Sequence, residues 1–322
     1  MISQQSTELQ FDEFITDVRN GLTRVPQKIL RSQYLYDDIG SALFEVITLL
    51  PEYGLTRADE RLLDRHVSDL SALLSSNVVV AELGSGSGVK TRRILTELTN
   101  RGGITYFPID ISVAALDRCR TELQQVRKVR IDPLAYSYMD GLREAVDRAP
   151  GSAQLLLLFL GSTIGNFDRP VAIEFLRDIR SVLRAGDVML FGTDLEKPIP
   201  QLLAAYDDPA GVTAAFNKNI IARINRELGG DFDLAEFEHV AVYNEAERRI
   251  EMHLNSCLHQ KVHIPTAKLT VNFRKGETIW TESSHKFNCE EIVRMATETG
   301  FRCDQQWVDE DWPFAENVLV AE

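Results

Sequence analysis

The chain has 322 residues, 44% apolar and 26% charged, with 35 Lys and Arg against 48 Asp and Glu for a formal charge of −13. That balance is ordinary for a water-soluble enzyme with room for one large domain or a core plus a substantial insertion, and its acidity argues against nucleic acid as a partner. The four cysteines (Cys119, Cys257, Cys289, Cys303) are scattered, so neither a zinc site nor a disulfide framework is expected, and free thiols in a reducing cytoplasm are. The opening MISQQSTELQFDEF has no basic stretch ahead of an apolar core, so no secretory leader is expected. No apolar run reaches membrane-spanning length, and no membrane partner is expected.

From Ala58 onward the pattern becomes regular. Leu62, Leu63, Val67, Leu70, Leu73 and Leu74 recur at helical spacing. VVVAEL (78–83) reads as a buried strand and GSGSG as a tight loop, and residues 90–98 form a helix that turns Ile94, Leu95 and Leu98 inward. ITYFPID (104–110) is a second strand. Ser112 can cap the next helix, whose inner face carries Leu116, Cys119 and Leu123. A third strand is expected to end near Met139 and Asp140. LLLLFL (155–160) is nearly unbroken apolar sequence, as a strand buried on both faces requires. Asp168 and Pro170 then open a helix with Phe175, Leu176, Ile179, Val182 and Leu183 on one face. VMLFGTD (188–194) is a fifth strand. This alternation implies a doubly wound parallel α/β sheet of Rossmann-like type.

After Lys197-Pro198 the rhythm breaks. A helical stretch is followed by alternating segments (Val240, Val242; Ile250, Met252, Leu254; Leu269, Val271, Phe273) that read as antiparallel strands with one solvated face. From Lys286 the α/β rhythm returns, with a helix ended by Gly300 and two short strands near 303–308 and 317–320. The expected organisation is a Rossmann-like core of residues 58–197 and 286–322. A second, smaller α+β lobe would be built from residues 1–57 and 198–285.

AELGSGSG places Glu82 just before Gly84, Gly86 and Gly88. Glycines let the backbone turn sharply and let a ligand approach closely. The spacing is G-x-G-x-G rather than the dinucleotide G-x-G-x-x-G. An acid before the glycines suits a ligand with a cationic end rather than a pyrophosphate. With Asp110 closing the second strand and Asp140 the third, the order resembles that of class I S-adenosylmethionine-dependent methyltransferases. The resemblance implies that Asp110 binds ribose hydroxyls and Asp140 the adenine amino group. A dinucleotide-binding oxidoreductase remains the alternative for the glycine loop taken by itself.

Longer runs resemble one family, the ergothioneine-pathway L-histidine Nα-methyltransferases. These are YLYDDIGSALFEVITLLPEYGLTRADE (34–60), ELGSGSGVKTR, FLGSTIGNF, GTDLEK, AYDDPAGVTAAFNKN, INRELGGDFDLAEFEHVA, RIEMHL and TESSHKF, and they span most of the chain. The resemblance implies a two-domain enzyme that converts L-histidine to hercynine, its Nα-trimethyl betaine, by three methylations with S-adenosylmethionine and no metal. It implies that Gly84, Lys90, Asp110, Asp140, Gly141 and Gly161 line the methyl-donor site. It also implies that Tyr53, Asn166, Tyr206, Met252, Glu282 and Ser284 line the histidine site, with Tyr36 near the substrate amine, so that Tyr36 and Asn166 are the catalytic candidates. The family's PEYY reads PEYG here, which leaves Tyr53 intact with Gly54 beside it. A cytoplasmic monomer acting on a free amino acid is expected. A same-fold enzyme for another amino acid, such as tryptophan, is the alternative within the class; Met252 and Glu282 are the residues expected for histidine.

The residues themselves leave several points open. Glu282 and Ser284 are two apart, so on a strand they share a face. There they either read the two imidazole nitrogens or face solvent on an edge strand. Tyr53 and Tyr206 are either ligands or packing. The amine must arrive neutral, and a tyrosine, a water or a carboxylate can take its proton. Asn166, in the loop after the fourth strand, is either a turn residue or an amide that donates to and accepts from the amino acid. The histidines at 239, 253, 259, 263 and 285 include one close pair on a strand and give no metal-ligand motif.

Overall fold

The computed structural model describes residues 4–322, with side chains described from Phe11 onward, so the first three residues of the expected 1–57 segment lie outside the described residues. The chain divides into two units, Met1–Gly54 with Lys197–His285, and Leu55–Glu196 with Lys286–Glu322. The first begins with α1 (Gln4–Thr23), β1 (Lys28–Ile29) and α2 (Asp38–Ile47), the last capped by Asp37. The second takes over at α3 (Leu55–Leu73) and alternates through β2 (Val78–Leu83), α4 (Thr91–Leu98), β3 (Ile104–Ile109), α5 (Val113–Leu123), β4 (Val129–Ile131), α6 (Tyr138–Arg148), β5 (Gln154–Phe159), α7 (Arg169–Val182) and β6 (Val188–Asp194). The first unit resumes with α8 (Ile199–Tyr206), α9 (Val212–Leu228), β7 (Phe237–Asn244), β8 (Arg249–Ser256), β9 (Gln260–Ile264), β10 (Leu269–Phe273) and β11 (Thr278–His285). The second closes with α10 (Cys289–Glu298), β12 (Phe301–Asp309) and β13 (Phe314–Ala321). The first division falls ahead of residue 57 because Leu55 already opens α3, whose Leu63 and Leu70 pack on the second unit's sheet.

The second unit is an α/β sandwich around a seven-stranded sheet of order β12-β13-β6-β5-β2-β3-β4. Every neighbouring pair is parallel except those of β13, which runs against both β6 and β12. Leu155, Leu157 and Phe159 of β5 belong to one core, and Leu156, Leu158 and Leu160 to the core on the other face. That double burial is why the strand reads as continuous leucine. The strand order reverses between β2 and β5, and the carboxyl ends of strands at such a switch point are where open α/β sheets bind ligands.

Two expectations need correction. The third strand is only Val129–Ile131, and Met139 and Asp140 lie instead in the first turn of α6. The cause is a helix N-cap: Ser137 Oγ accepts from Asp140 N at 3.4 Å and donates to Asp140 Oδ2 at 2.7 Å. The closing strands are long rather than short, because β12 and β13 form a continuous hairpin across the edge of the sheet.

The place where the second unit's chain departs and returns is clamped. Glu196 N donates to Phe287 O at 2.9 Å and Phe287 N to Asp194 O at 3.0 Å. Beside them Lys286 Nζ meets Asp194 Oδ2 at 2.8 Å, and Trp312 Nε1 donates to Asp194 Oδ1 at 3.2 Å.

The first unit carries a four-stranded sheet, β1-β11-β8-β7, and a β9–β10 hairpin. Residues of α9 bond to β7 and β8 through Asn217, and Asn219 of α9 donates to Asp37 at the start of α2. No helix among the described residues is long and apolar enough to cross a membrane.

Gly141 shows how tightly α6 is pressed on the sheet: a Cβ there would lie 2.3 Å from Ile109 Cγ2. Gly141→Ala therefore overpacks the helix–strand contact, and the clash outweighs the roughly 1 kcal/mol of helix propensity that alanine adds. A loss of about 1–3 kcal/mol in urea unfolding is expected. Gly151→Ala, at a position open to solvent, should leave the midpoint where it is.

Candidate functional site

In the second unit, the loop after β2 is built from left-handed glycines, with φ of +70° at Gly84, +51° at Gly86 and +75° at Gly88. The amides of Gly84 and Ser85 donate to Ile109 O at 2.8 and 3.3 Å, tying the loop to the end of β3. At Gly88 a Cβ would stand 2.7 Å from Cys119 Sγ, so the loop is also pressed on α5.

Asp110 sits directly beyond β3. Its Oδ1 accepts from Ser112 N at 2.8 Å and its Oδ2 from Gly86 N at 3.4 Å. Burial raises its pKa, and these backbone donors work against the rise. A carboxylate can accept from several donors at once, hydroxyls such as those of a ribose among them.

Glu82, which the sequence offered to a cationic ligand end, is turned inward instead. It is buried, accepting from Thr91 Oγ1 at 2.7 Å and from the Tyr106 hydroxyl. Burial pushes its carboxyl up to about 7. Glu82 thus joins β2, β3 and the start of α4 beneath the loop.

Lys90 precedes α4, and its ammonium meets Asp59 Oδ2 at 2.6 Å. Burial disfavours its charge, but Asp59 outweighs this and the pKa is raised. After β5 the backbone turns through two left-handed residues, Gly161 and Ser162, and Ser162 Oγ accepts from Asp194 N at 2.8 Å. A Cβ on Gly161 would lie 3.1 Å from Lys90 Nζ, so this glycine lets the ammonium lie against the backbone. Asn166 ends the short 3₁₀ turn Thr163–Asn166 and is half-buried.

Gly84, Lys90, Asp110 and Gly161 thus gather along the carboxyl edge of the sheet. Asp140, in the first turn of α6, is exposed and pairs with Arg143 at 3.2 Å, and Tyr138 of the same turn lies against Gly84. Gly141 serves helix packing. The edge offers a carboxylate to hydroxyl donors and an ammonium to an anionic group, and S-adenosylmethionine carries both a diol and a carboxylate.

The first unit holds the other group of candidates. The register of β11 against β8 shifts between Trp280, opposite His253, and Glu282, opposite Met252, leaving Thr281 as the extra residue of a bulge. Ile279 faces Leu254 on the buried side of the sheet. In an unbroken strand Glu282 and Ser284 would share the side of Trp280. The bulge moves both to the side of Met252 and Ile250, which are buried. The Tyr36 hydroxyl donates to Glu282 Oε1 at 3.4 Å, and the Tyr206 hydroxyl donates to Ser284 Oγ at 2.6 Å.

Around these groups the rings are stacked edge to face. Tyr53 and Tyr206 have centroids 6.3 Å apart, Tyr36 and Phe216 5.3 Å, Tyr36 and Phe44 5.6 Å, and Phe44 and Tyr53 6.2 Å. The structure therefore brings Tyr36, Tyr53, Tyr206, Met252, Glu282 and Ser284 to one face of one unit. A carboxylate and a hydroxyl set among aromatic rings suit a small cation with polar edges.

Residues 14–321 match the model of the histidine-specific, S-adenosylmethionine-dependent methyltransferase family. The chain belongs to this family. It is 40% identical over 300 residues to the histidine N-alpha-methyltransferase of Mycobacterium tuberculosis (strain CDC 1551 / Oshkosh), covering 92% of each chain. To the histidine N-alpha-methyltransferase of Mycolicibacterium smegmatis it is 39% identical, with 94% of each chain covered. A more distant relative, the L-tryptophan methyltransferase of Psilocybe serbica, is 26% identical over 91% of this chain and 88% of its own. The methyltransferase uses S-adenosylmethionine as its methyl donor, and the dinucleotide alternative is set aside. Among the described residues, no three His, Cys, Asp or Glu side chains gather as a metal ion would need.

Sequence reasoning missed the network that holds the bulge. Asn217 of α9 is fully buried; its Nδ2 donates to His239 Nδ1 at 2.8 Å and to His253 O at 3.0 Å, and its Oδ1 accepts from Thr281 Oγ1 at 2.6 Å. The bond to a backbone carbonyl fixes which end of the amide is nitrogen. His239 then receives a proton at Nδ1 and donates its own from Nε2 to Tyr206 O at 2.8 Å. Burial lowers the His239 pKa, which keeps this neutral tautomer. One amide thus joins the strand that carries Glu282 to the helix end that carries Tyr206. The signal was an Asn beside Phe216 on the buried side of a helix.

Asn217→Ala should weaken histidine binding about 10- to 100-fold, because two buried partners lose their bonds. Calorimetry should find the affinity for S-adenosylhomocysteine unchanged. The buried acid under the donor loop gives a pH test. Glu82 has its folded pKa raised from 4.5 to about 7, so the stability it contributes is complete below about 4.5 and is lost as pH rises through 7. Urea midpoints of the native chain should fall across that window relative to those of Glu82→Gln.

Proposed function

We propose that this protein methylates the α-amino nitrogen of L-histidine three times, yielding hercynine, the first step of ergothioneine biosynthesis. The observation that carries the reading is the bulge at Thr281, which turns Glu282 and Ser284 together onto a buried, tyrosine-lined face. A carboxylate that accepts from one ring N–H, and a hydroxyl that bonds the other nitrogen, read an imidazole and nothing smaller. Ser284 Oγ accepts from the Tyr206 hydroxyl, and we assign its own hydroxyl hydrogen to a ring nitrogen acceptor. Asn166 is assigned to the amino acid's carboxylate and amine.

S-adenosylmethionine supplies a methyl group on a sulfonium, open to in-line attack, and leaves as the neutral thioether. The chain's own residues position the amine, hold it against that line and shed its proton. We assign Tyr36 to this step because its hydroxyl donates to a carboxylate, Glu282, that can stabilise a proton passing through it. With each transfer the nitrogen loses a proton and gains a methyl, ending as a fixed cation. The faces of Tyr36, Tyr53 and Phe44 favour such a cation over a neutral amine. The four free thiols and the charge of −13 fit a cytoplasmic enzyme that acts on a free amino acid as a monomer, without nucleic acid or membrane.

Incubation with histidine and S-adenosylmethionine should give products one, two and three methyl groups heavier by mass spectrometry. Tryptophan should be disfavoured by on the order of 10⁴ in kcat/KM, because an indole lacks the second nitrogen and strands the hydroxyl. Turnover of tryptophan at the rate of histidine would sink the substrate assignment and leave the class standing. Glu282→Ala and Asn166→Ala should each raise KM for histidine and leave S-adenosylhomocysteine binding intact.

A further inference from the structure

Beneath the donor edge of the second unit lies an unusual set of buried oxygens. Asp59, on α3, has no exposed surface, and while its Oδ2 holds Lys90 its Oδ1 meets no donor. Glu316, on β13, is equally buried, and neither of its oxygens meets a donor. Glu316 pairs across the sheet with Gly192 of β6. A Cβ on Gly192 would stand 3.1 Å from Glu316 Oε1 and 3.0 Å from Gly161 N. The missing side chain of Gly192 is thus the space into which the Glu316 carboxyl group reaches, next to the backbone of Gly161.

Two ionised carboxylates cannot lie side by side out of water, since each raises the other's pKa. An orphaned buried acceptor costs about 1–3 kcal/mol, and more if it is charged. Glu316 reaches toward Gly161, and Lys90 carries Asp59 to the same glycine, so the orphaned oxygens of the two acids lie in one buried neighbourhood. A single proton between them removes both the charge repulsion and the missing donor. Asp59, in contact with the Lys90 ammonium, is the one that stays ionised, so the proton belongs to Glu316.

We propose that Glu316 is a protonated acid that donates to Asp59 Oδ1, and that this acid–carboxylate pair is a positioning device fixing the Lys90 ammonium beside Gly161. Burial first, and then the charge of Asp59, hold Glu316 well above the usual carboxylate range, in keeping with that state. The ammonium has three N–H donors, of which Asp59 takes one. Lys90 is expected to line the methyl-donor site, and this inference rests on its remaining N–H donors meeting the α-carboxylate of that donor. A lysine side chain free to sample its rotamers would lose that aim. Asp59 held from behind by Glu316 cannot swing, and the ammonium stays with it.

The test uses the whole chain and reads the proton directly. Well above pH 7, where Glu82 is ionised, the infrared spectrum should contain a carboxylic-acid carbonyl band that vanishes in Glu316→Gln. Glu316→Gln keeps a donor to Asp59, so S-adenosylhomocysteine affinity by calorimetry should stay within about twofold. Glu316→Leu and Asp59→Asn should each weaken it about tenfold, with thermal midpoints reporting whether the fold survives. Absence of the band overturns the proposal, as does a folded Glu316→Gln as weak as Asp59→Asn. Unchanged affinity in Lys90→Met would overturn the role given to Lys90, and the positioning role with it, while the band reports separately on the shared proton.

Discussion

The second unit depends on keeping carboxylates out of water at one edge of a sheet. Asp59, Glu82, Asp194, Asp309 and Glu316 are all buried there or close by. Each charge removed from water costs several kcal/mol unless a partner meets it. The partners come from distant parts of the chain: Lys90 for Asp59, Thr91 and Tyr106 for Glu82, Lys286 and Trp312 for Asp194, and Arg61 for Asp309 at 2.5 Å. Because a broken pair leaves a stranded charge, these contacts are all-or-none, and they lock α3, α4, β6, β13 and the glycine loop into one arrangement. The glycine loop is seated on buried acids, Glu82 directly beneath it.

The first unit solves a different problem with one inserted residue. A strand offers its two faces alternately, and the register of β11 would have pointed Glu282 and Ser284 away from the aromatic cluster. Thr281 interrupts the count, and Asn217 keeps the interruption in place through Thr281 while reaching Tyr206 through His239. The facing of Glu282 and Ser284 therefore rests on a fully buried helix residue.

Much of the fold was legible because burial leaves a plain signature. The leucines of β5 are continuous because both faces are covered, and the broken rhythm after Lys197 marks a change of architecture. The glycines of the loop were legible because each has positive φ. Asp140 was misplaced because β4 is only three residues long and a Ser-x-x-Asp cap is easily taken for a strand end. Glu82 was given to a ligand because a carboxylate's direction is set by Thr91 and Tyr106, which sequence spacing does not bring together. The bulge was invisible for the same reason: i and i+2 predict a shared face, but which face depends on pairing with β8. Asn217 and Glu316 act through partners far along the chain, and nothing local marks them.

The clamp where the second unit's chain departs and returns has an architectural consequence. Asp194 and Glu196 are bonded to Phe287, and Lys286 is sealed against Asp194 with no exposed surface. Seen from the α/β sheet, everything from residue 197 to 285 is one long excursion whose two ends already touch. The entropy of closing such a loop grows only with the logarithm of its length, so the sheet is nearly indifferent to how much protein the excursion contains. A scaffold joined this way can exchange one selectivity module for another without re-laying a strand. The clamp therefore makes this position a natural splice point in the α/β unit.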